Sequence, residues 1–238
     1  MDAGELGTIL GVWAHPDDEA YLSAGLMAGA VAAGNRVVCV TATRGEQGSL
    51  DHVRWPPETM AKVREKELLR SLEVLGVTEH IWLDHADGGC ADVDQEMATA
   101  RVRAIMDEVQ PRTVLSFGLD GMTGHPDHVA TCEWTMKAFH DVAPAGSRLY
   151  HATKTPEWVE RWAPAFEPHN VFMVPGTPPR TPRDELGIDF HCEGEILHLK
   201  VRAITEHISQ VEGLIATFGA EGWRESMIEE PFRLAAER

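Results

Sequence analysis

The chain has 238 residues, 43% of them hydrophobic and 25% charged, and a formal net charge of −17; this suits one globular domain over residues 1–238 with room for a large core. The acidic balance excludes a general nucleic-acid surface, which needs clustered Lys and Arg to neutralise phosphates. No apolar run nears the roughly 18 residues of a bilayer span, and Met1-Asp2-Ala3-Gly4-Glu5 lacks the positive flank of a secretory signal, so a cytoplasmic protein is expected.

In chain order, Thr8–Ala14, Val37–Ala42, His80–Leu83 and Thr113–Phe117 are short, continuous apolar or β-branched runs. Runs of that kind predict strands covered on both faces, as in a parallel sheet. Between them the pattern predicts helices near residues 18–34, 58–75, 94–109 and 127–140, the crossovers that parallel strands require. Gly34 and Gly76 fall where helix C-caps belong. The expected fold is α/β, a Rossmann-like three-layer sandwich with a mostly parallel sheet.

After Leu149-Tyr150-His151, seven prolines from Pro156 to Pro182 interrupt any long element. An irregular Pro-rich insertion is expected over about residues 153–189, acting as a lid or specificity region. Residues 195–218 then carry Ile196, Leu199, Ile204, Ile208, Val211 and Ile215 at approximate helical spacing, which predicts one C-terminal helix. Cys39, Cys90, Cys132 and Cys192 are scattered with no Cys-x-x-Cys pair, so reduced thiols are expected rather than a thiolate zinc site.

Two phrases carry chemistry: His15-Pro16-Asp17-Asp18-Glu19 and His125-Pro126-Asp127-His128. Each follows a strand. Folding preferences alone could place such residues there, since Pro suits the first helical position and acids suit the first turn. Two copies at two strand ends, where ligands gather in open α/β sheets, favour a shared site. A catalytic zinc keeps three protein ligands, histidine nitrogens or carboxylate oxygens, and an open position. Two histidines and one aspartate meet that count.

These phrases resemble the LmbE/PIG-L family of zinc-dependent N-deacetylases, which act mostly on N-acetylglucosamine-type groups. The resemblance extends through Thr43-Arg44-Gly45-Glu46, Arg64-x-x-Glu67-Leu68 and Asp87-Gly88, and covers most of residues 8–140. It implies His15, Asp18 and His128 as zinc ligands, Asp17 as general base, His125 as the group assisting the tetrahedral intermediate or leaving amine, and Asp127 as the residue orienting and charge-tuning His125. A neighbouring carboxylate would raise the His125 pKa and keep that imidazole protonated. The resemblance also implies that Glu46, Arg64 and Asp87 meet the sugar, and it places the stretch Lys200 to Gln210, with His207, beside the site. Taken alone, Arg64 fits a solvated helix face near Lys66 and Glu67, Asp87 fits a turn, and His207 fits a packed or surface group.

The expected activity is hydrolysis of an N-acetyl group from an amino-sugar conjugate, a small-molecule or glycoconjugate partner, with one Zn2+ per chain. Fe2+ accepts the same ligands. A metal-dependent amidase for another acyl group and a non-catalytic sugar-binding protein of the same fold are the rivals, and a homo-oligomer is left open. Mycothiol-type members carry a tyrosine two positions before the first histidine of the second phrase. This chain has Thr123 there, and its two tyrosines are Tyr21 and Tyr150. Trp55, in a loop after Glu46, is a candidate pocket wall.

Overall fold

In a computed structural model, described over residues 2–238, strands β1 (Ile9–Trp13), β2 (Val37–Thr43), β3 (Glu79–His85), β4 (Thr113–Ser116), β5 (Arg148–Ala152), β6 (Ile188–His191) and β7 (Glu229–Glu237) form one sheet. Its order is β3-β2-β1-β4-β5-β7-β6. The first five strands run parallel, and β7 pairs antiparallel with both β5 and β6. The helices are α1 (Asp18–Ala32), α2 (Pro57–Leu75), α3 (Gln95–Val109), α4 (Gly121–Gly124), α5 (Pro126–Val142), α6 (Pro156–Phe166), α7 (Gly194–Glu206) and α8 (Ile208–Ser226). The fold is the expected three-layer α/β sandwich.

Side-chain alternation explains why β1 and β2 read as continuous apolar runs. Ile9, Trp13, Val37 and Cys39 enter the core beneath α1, α2 and α7, whereas Leu10, Val12, Val38 and Val40 enter the core beneath α3 and α5. Period-two strands buried on both sides leave no polar face. Gly34 and Gly76 take positive φ, 84° and 73°, just past α1 and α2, a conformation glycine adopts without a Cβ clash.

Two features differ from the expectation, and a third lies in a segment for which none was stated. The Pro-rich region holds α6, because Pro156 sits in the helix's first turn, where no backbone donor is needed, and the Thr155 hydroxyl caps the Trp158 amide at 3.1 Å. The single helix expected over 195–218 is two, α7 and α8, broken at His207. The segment Glu229–Glu237, rich in helix formers, is a strand because β5 and β6 supply partners on both sides. Cys39, Cys90, Cys132 and Cys192 are buried free thiols. Among the described residues, no helix is long and apolar enough to cross a membrane.

Candidate active site

The two phrases lie at the carboxyl ends of β1 and β4, adjacent strands in the sheet. After β1 the chain turns sharply through His15 and Pro16 into α1, and Asp17, the N-cap residue, has φ 115° and ψ −28°. A non-glycine residue there stores strain of about 1–3 kcal/mol and persists only where its surroundings hold it. They do so here. The Asp17 amide donates to Glu19 Oε2 at 3.0 Å, and the Asp17 carboxylate sits 3.1 Å from Arg64 Nη2.

After β4, the short α4 leads to His125, which caps α5 by accepting the Asp127 amide on Nδ1 at 3.1 Å. His128, in the first turn, stacks on Phe117 with ring centroids 4.0 Å apart. Its Nδ1 lies 2.9 Å from the Gly121 carbonyl, which accepts that N–H and leaves the Nε2 lone pair free. His15 Nε2 lies 3.2 Å from both Asp87 Oδ1 and Asp127 Oδ2, carboxylates that fix its proton on Nε2 and turn the Nδ1 lone pair inward.

Three ligand-type atoms therefore converge. His15 Nδ1 is 3.0 Å from His128 Nε2 and 3.7 Å from Asp18 Oδ2, and His128 Nε2 is 3.4 Å from Asp18 Oδ1. Ligands about 2.0–2.1 Å from a tetrahedral ion stand about 3.3–3.4 Å apart, so this donor set fits a zinc-sized ion. His15, His125 and His128, and likewise His15, Asp87 and Asp127, also offer ligand atoms within 4.8 Å of one another. In those sets, however, His125 Nδ1 is occupied by an amide, and the carboxylates of Asp87 and Asp127 already serve His15 Nε2 and backbone amides.

The electrostatics follow from burial. Desolvation pushes the Asp17 carboxyl up to about 6 against the pull of Arg64. Burial works to lower the His15 pKa, but hydrogen bonds to Asp127 and Asp87 and the charge of Asp18 outweigh it and hold the metal-free imidazole at about 10. Desolvation and the positive charge of His15 hold His128 well below the usual range. The same two causes lower the His125 pKa.

That last result corrects the expected protonated His125. The Asp127 carboxylate faces away from the His125 ring, with Oδ2 accepting from Gly88 N at 2.7 Å and Oδ1 from Cys90 N at 3.0 Å, and it orients His15 instead. His125 is thus neutral, with Nδ1 acting as acceptor and its proton on Nε2.

The remaining expected residues divide by position. Arg64 is 4% exposed, so the solvated-face reading fails. Its Nη1 donates to the Gly45 carbonyl at 3.2 Å and its Nη2 to that of Pro16, while also pairing with Asp17. Gly45 makes room for it: at φ 65°, an added Cβ would stand 2.3 Å from Arg64 Nη1. Asp87 and Arg64 line a cavity of about 780 Å³ above His15, Asp17, Asp18, His125 and His128. Glu46 stands behind that wall, its Oε1 accepting from the Asp87 amide at 2.9 Å. His207 is fully buried, its Nε2 3.0 Å from Glu19 Oε1, and braces the residue that holds the Asp17 amide.

Trp55 lines the cavity, as do Tyr21, Trp158, Phe166 and Lys154, four residues the sequence did not mark. Tyr21 lies one turn beyond Asp17 on α1, a signal its spacing contained; Lys154 had no motif to flag it.

Fold and cluster together define an open α/β protein with its polar site at a strand-end crevice. The chain belongs to the PIG-L family, described as GlcNAc-PI de-N-acetylase, whose profile matches residues 10–139. One relative, the 1D-myo-inositol 2-acetamido-2-deoxy-alpha-D-glucopyranoside deacetylase of Kineococcus radiotolerans, is 34% identical over 168 residues, covering 59% of this chain and 46% of that protein. The chain spans about half the length of the first curated relatives it matches. Among solved structures, the N,N'-diacetylchitobiose deacetylase of Pyrococcus horikoshii superposes with a TM-score of 0.66 at 19% identity, covering 98% of this chain and 85% of that one. The 4-carboxy-2-hydroxymuconate hydratase GalB of Pseudomonas putida superposes at 0.69 with 17% identity, covering 98% and 97%. At such identities the likeness is one of fold.

Proposed function

We propose that this protein is a metal-dependent N-deacetylase acting on an N-acetylglucosamine-type conjugate, with His15, Asp18 and His128 holding one zinc ion. The observation that carries this reading is the convergence of His15 Nδ1, His128 Nε2 and the Asp18 carboxylate beside a strained, Arg-clamped Asp17. The deacetylase named above in Kineococcus acts on such a conjugate and points the same way. A divalent ion in this donor set supplies a Lewis acid that polarises an amide carbonyl and acidifies water.

The chain's own groups do the rest. Asp17, raised to about 6, is ionised at neutral pH yet basic enough to take a proton from the attacking water. Its carboxylate lines the cavity and is held there by Arg64. Neutral His125, with its proton on Nε2, donates a hydrogen bond to the oxygen that gains charge as the carbonyl becomes tetrahedral. Asp17 then returns its proton to the departing amine. Asp127 and Asp87 keep His15 in the ligating tautomer; Arg64 and Asp87 both line the cavity, which supports the reading that they meet the sugar. Glu46 and His207 act from behind as positioning residues.

The test is metal analysis of the purified protein followed by assay of free amine released from 1D-myo-inositol 2-acetamido-2-deoxy-α-D-glucopyranoside and simpler N-acetylglucosaminides. Stoichiometric zinc with chelator-sensitive amine release is expected. A stoichiometric metal with no release of amine from any N-acetylated sugar would overturn the reading.

A further inference from the structure

Among the polar groups of the cavity that the proposed chemistry does not use is a lysine. Lys154 follows β5 and is 6% exposed, yet it lines the cavity. Its backbone is pinned on both sides, the amide donating to the Pro179 carbonyl at 3.1 Å and its carbonyl accepting from Thr181 N at 2.9 Å. The ammonium lies 4.5 Å over the Trp158 ring and has no ion pair or hydrogen bond among the described residues.

The nearby carboxylates are occupied elsewhere. Glu230 accepts the Gly25 and Leu26 amides at 2.7 and 2.8 Å and pairs with Lys200 Nζ at 2.8 Å. Glu229 pairs with Arg183 and accepts from the Thr155 hydroxyl at 2.9 Å. The arginine of the wall is also engaged, Arg64 by Asp17, and the His169 imidazole lies 2.8 Å from the Thr217 hydroxyl. A nearly buried ammonium without a counter-charge is costly. Burial and the charge of Lys200 depress it to about 7, a burden that an arriving anion would relieve.

Position makes the lysine useful to a conjugate. Gly11, Leu115 and Tyr150 form one row across β1, β4 and β5, and His15 and Lys154 each stand four residues beyond it. The strands themselves, β1 ending at Trp13 and β5 at Ala152, thus end level, two strand spacings or about 10 Å apart. The floor, with His15, Asp17, Asp18 and His128, serves the acetamide end in the deacetylase reading, which leaves the far wall of the cavity to the rest of the conjugate. There the positive end of the α6 dipole beside Trp158 adds to the attraction that the Lys154 ammonium holds for an anion.

We propose that Lys154 and Trp158 form a subsite for an anionic group, a carboxylate or phosphate ester, carried by the non-sugar part of the conjugate. This rests on the deacetylase reading for the acetamide end and adds the chemistry of the other end. The test uses N-acetylglucosaminides with a short alkyl aglycone ending in carboxylate, phosphate or methyl ester. Wild-type kcat/KM is expected to favour an anionic end over the ester by at least about tenfold, worth about 1.4 kcal/mol. Lys154→Met is expected to bring that ratio to about 1, with a melting temperature equal to or above wild type because an uncompensated buried charge is gone. The relative rates of the carboxylate and phosphate arms identify which anion the subsite takes.

Equal use of all three aglycones by wild type, or a preference that survives in Lys154→Met, overturns the subsite. Lys154→Gln serves the same comparison if the methionine variant does not fold. Glucosides with the same aglycones, which carry no acetamide, separate the two readings by calorimetry. Tight binding of the acid to wild type but not to the variant supports the subsite even if no amide is cleaved, and equal binding of acid and ester refutes it.

Discussion

Replacing Arg64 with methionine is expected to move the acid limb of the deacetylation rate upward. Asp17 is proposed to act as an ionised base, so its pKa sets the pH below which activity falls. Two forces act on it: burial raises the pKa, and the Arg64 charge 3.1 Å away lowers it, with the balance near 6. At that separation and an effective dielectric of about 20, Coulomb attraction is about 5 kcal/mol. Screening and relaxation reduce this, and carboxylates beside arginine are shifted by about 1–3 units. Removing the charge favours the protonated acid, so the limb rises by that amount.

A shift of 2 units leaves about one tenth of the wild-type rate one unit above the wild-type limb, while the two rates approach each other at high pH. The assay is kcat/KM against pH on metal-loaded protein, for wild type, Arg64→Met and Arg64→Lys. The added charge of the metal lowers all three limbs, so the difference between limbs is the observable. Arg64→Lys is expected to lie between the other two, since it retains the charge without the fork that also binds the Pro16 and Gly45 carbonyls. A folded, metal-loaded Arg64→Met whose limb coincides with wild type would refute the assignment of Asp17 as the titrating base.

Other substitutions separate the remaining roles. His125→Ala is expected to keep stoichiometric metal and lose about 100- to 1000-fold in kcat, as removal of an oxyanion donor does, whereas His128→Ala loses the metal itself; metal content measured beside turnover distinguishes them. Gly45→Ala puts a Cβ 2.3 Å from Arg64 Nη1 at φ 65°, so it is expected to cost about 1–2 kcal/mol in urea unfolding for the backbone alone and to reproduce part of the Arg64→Met limb shift. His207→Ala leaves Glu19 buried without its partner and is expected to destabilise by about 3 kcal/mol, read by the same unfolding assay. Because metal-free His15 titrates near 10, it is protonated at pH 7.5 and must shed that proton to bind metal. Calorimetry in buffers of different ionisation enthalpy is expected to show about one proton released per ion, with affinity rising with pH; no proton release would contradict the His15 assignment.

The sequence by itself determined what local rules control. Continuous apolar runs foretold four of the five parallel strands, β1 to β4, three of which, β1, β2 and β4, are covered on both faces. Histidine, proline and acids at two strand ends foretold where polar groups would meet, because strand-to-helix junctions of a parallel sheet open on the same side. Only the tertiary structure decided what each of those groups touches. Asp127 is next to His128 in the chain, yet its carboxylate orients His15 across the crevice. Arg64 reads as one charge in a run of charges, and is buried against Asp17 because Gly45, nineteen residues earlier, leaves space for it. His207 looks like a lone helical histidine and instead breaks a helix to reach Glu19, 188 residues away. Strand β7 is made by its neighbours, and Lys154 is unpaired because distant partners hold both nearby glutamates. Periodicity and capping act over a few residues and are written along the chain, whereas burial, tautomer and counter-charge depend on contacts that exist only once the chain has closed.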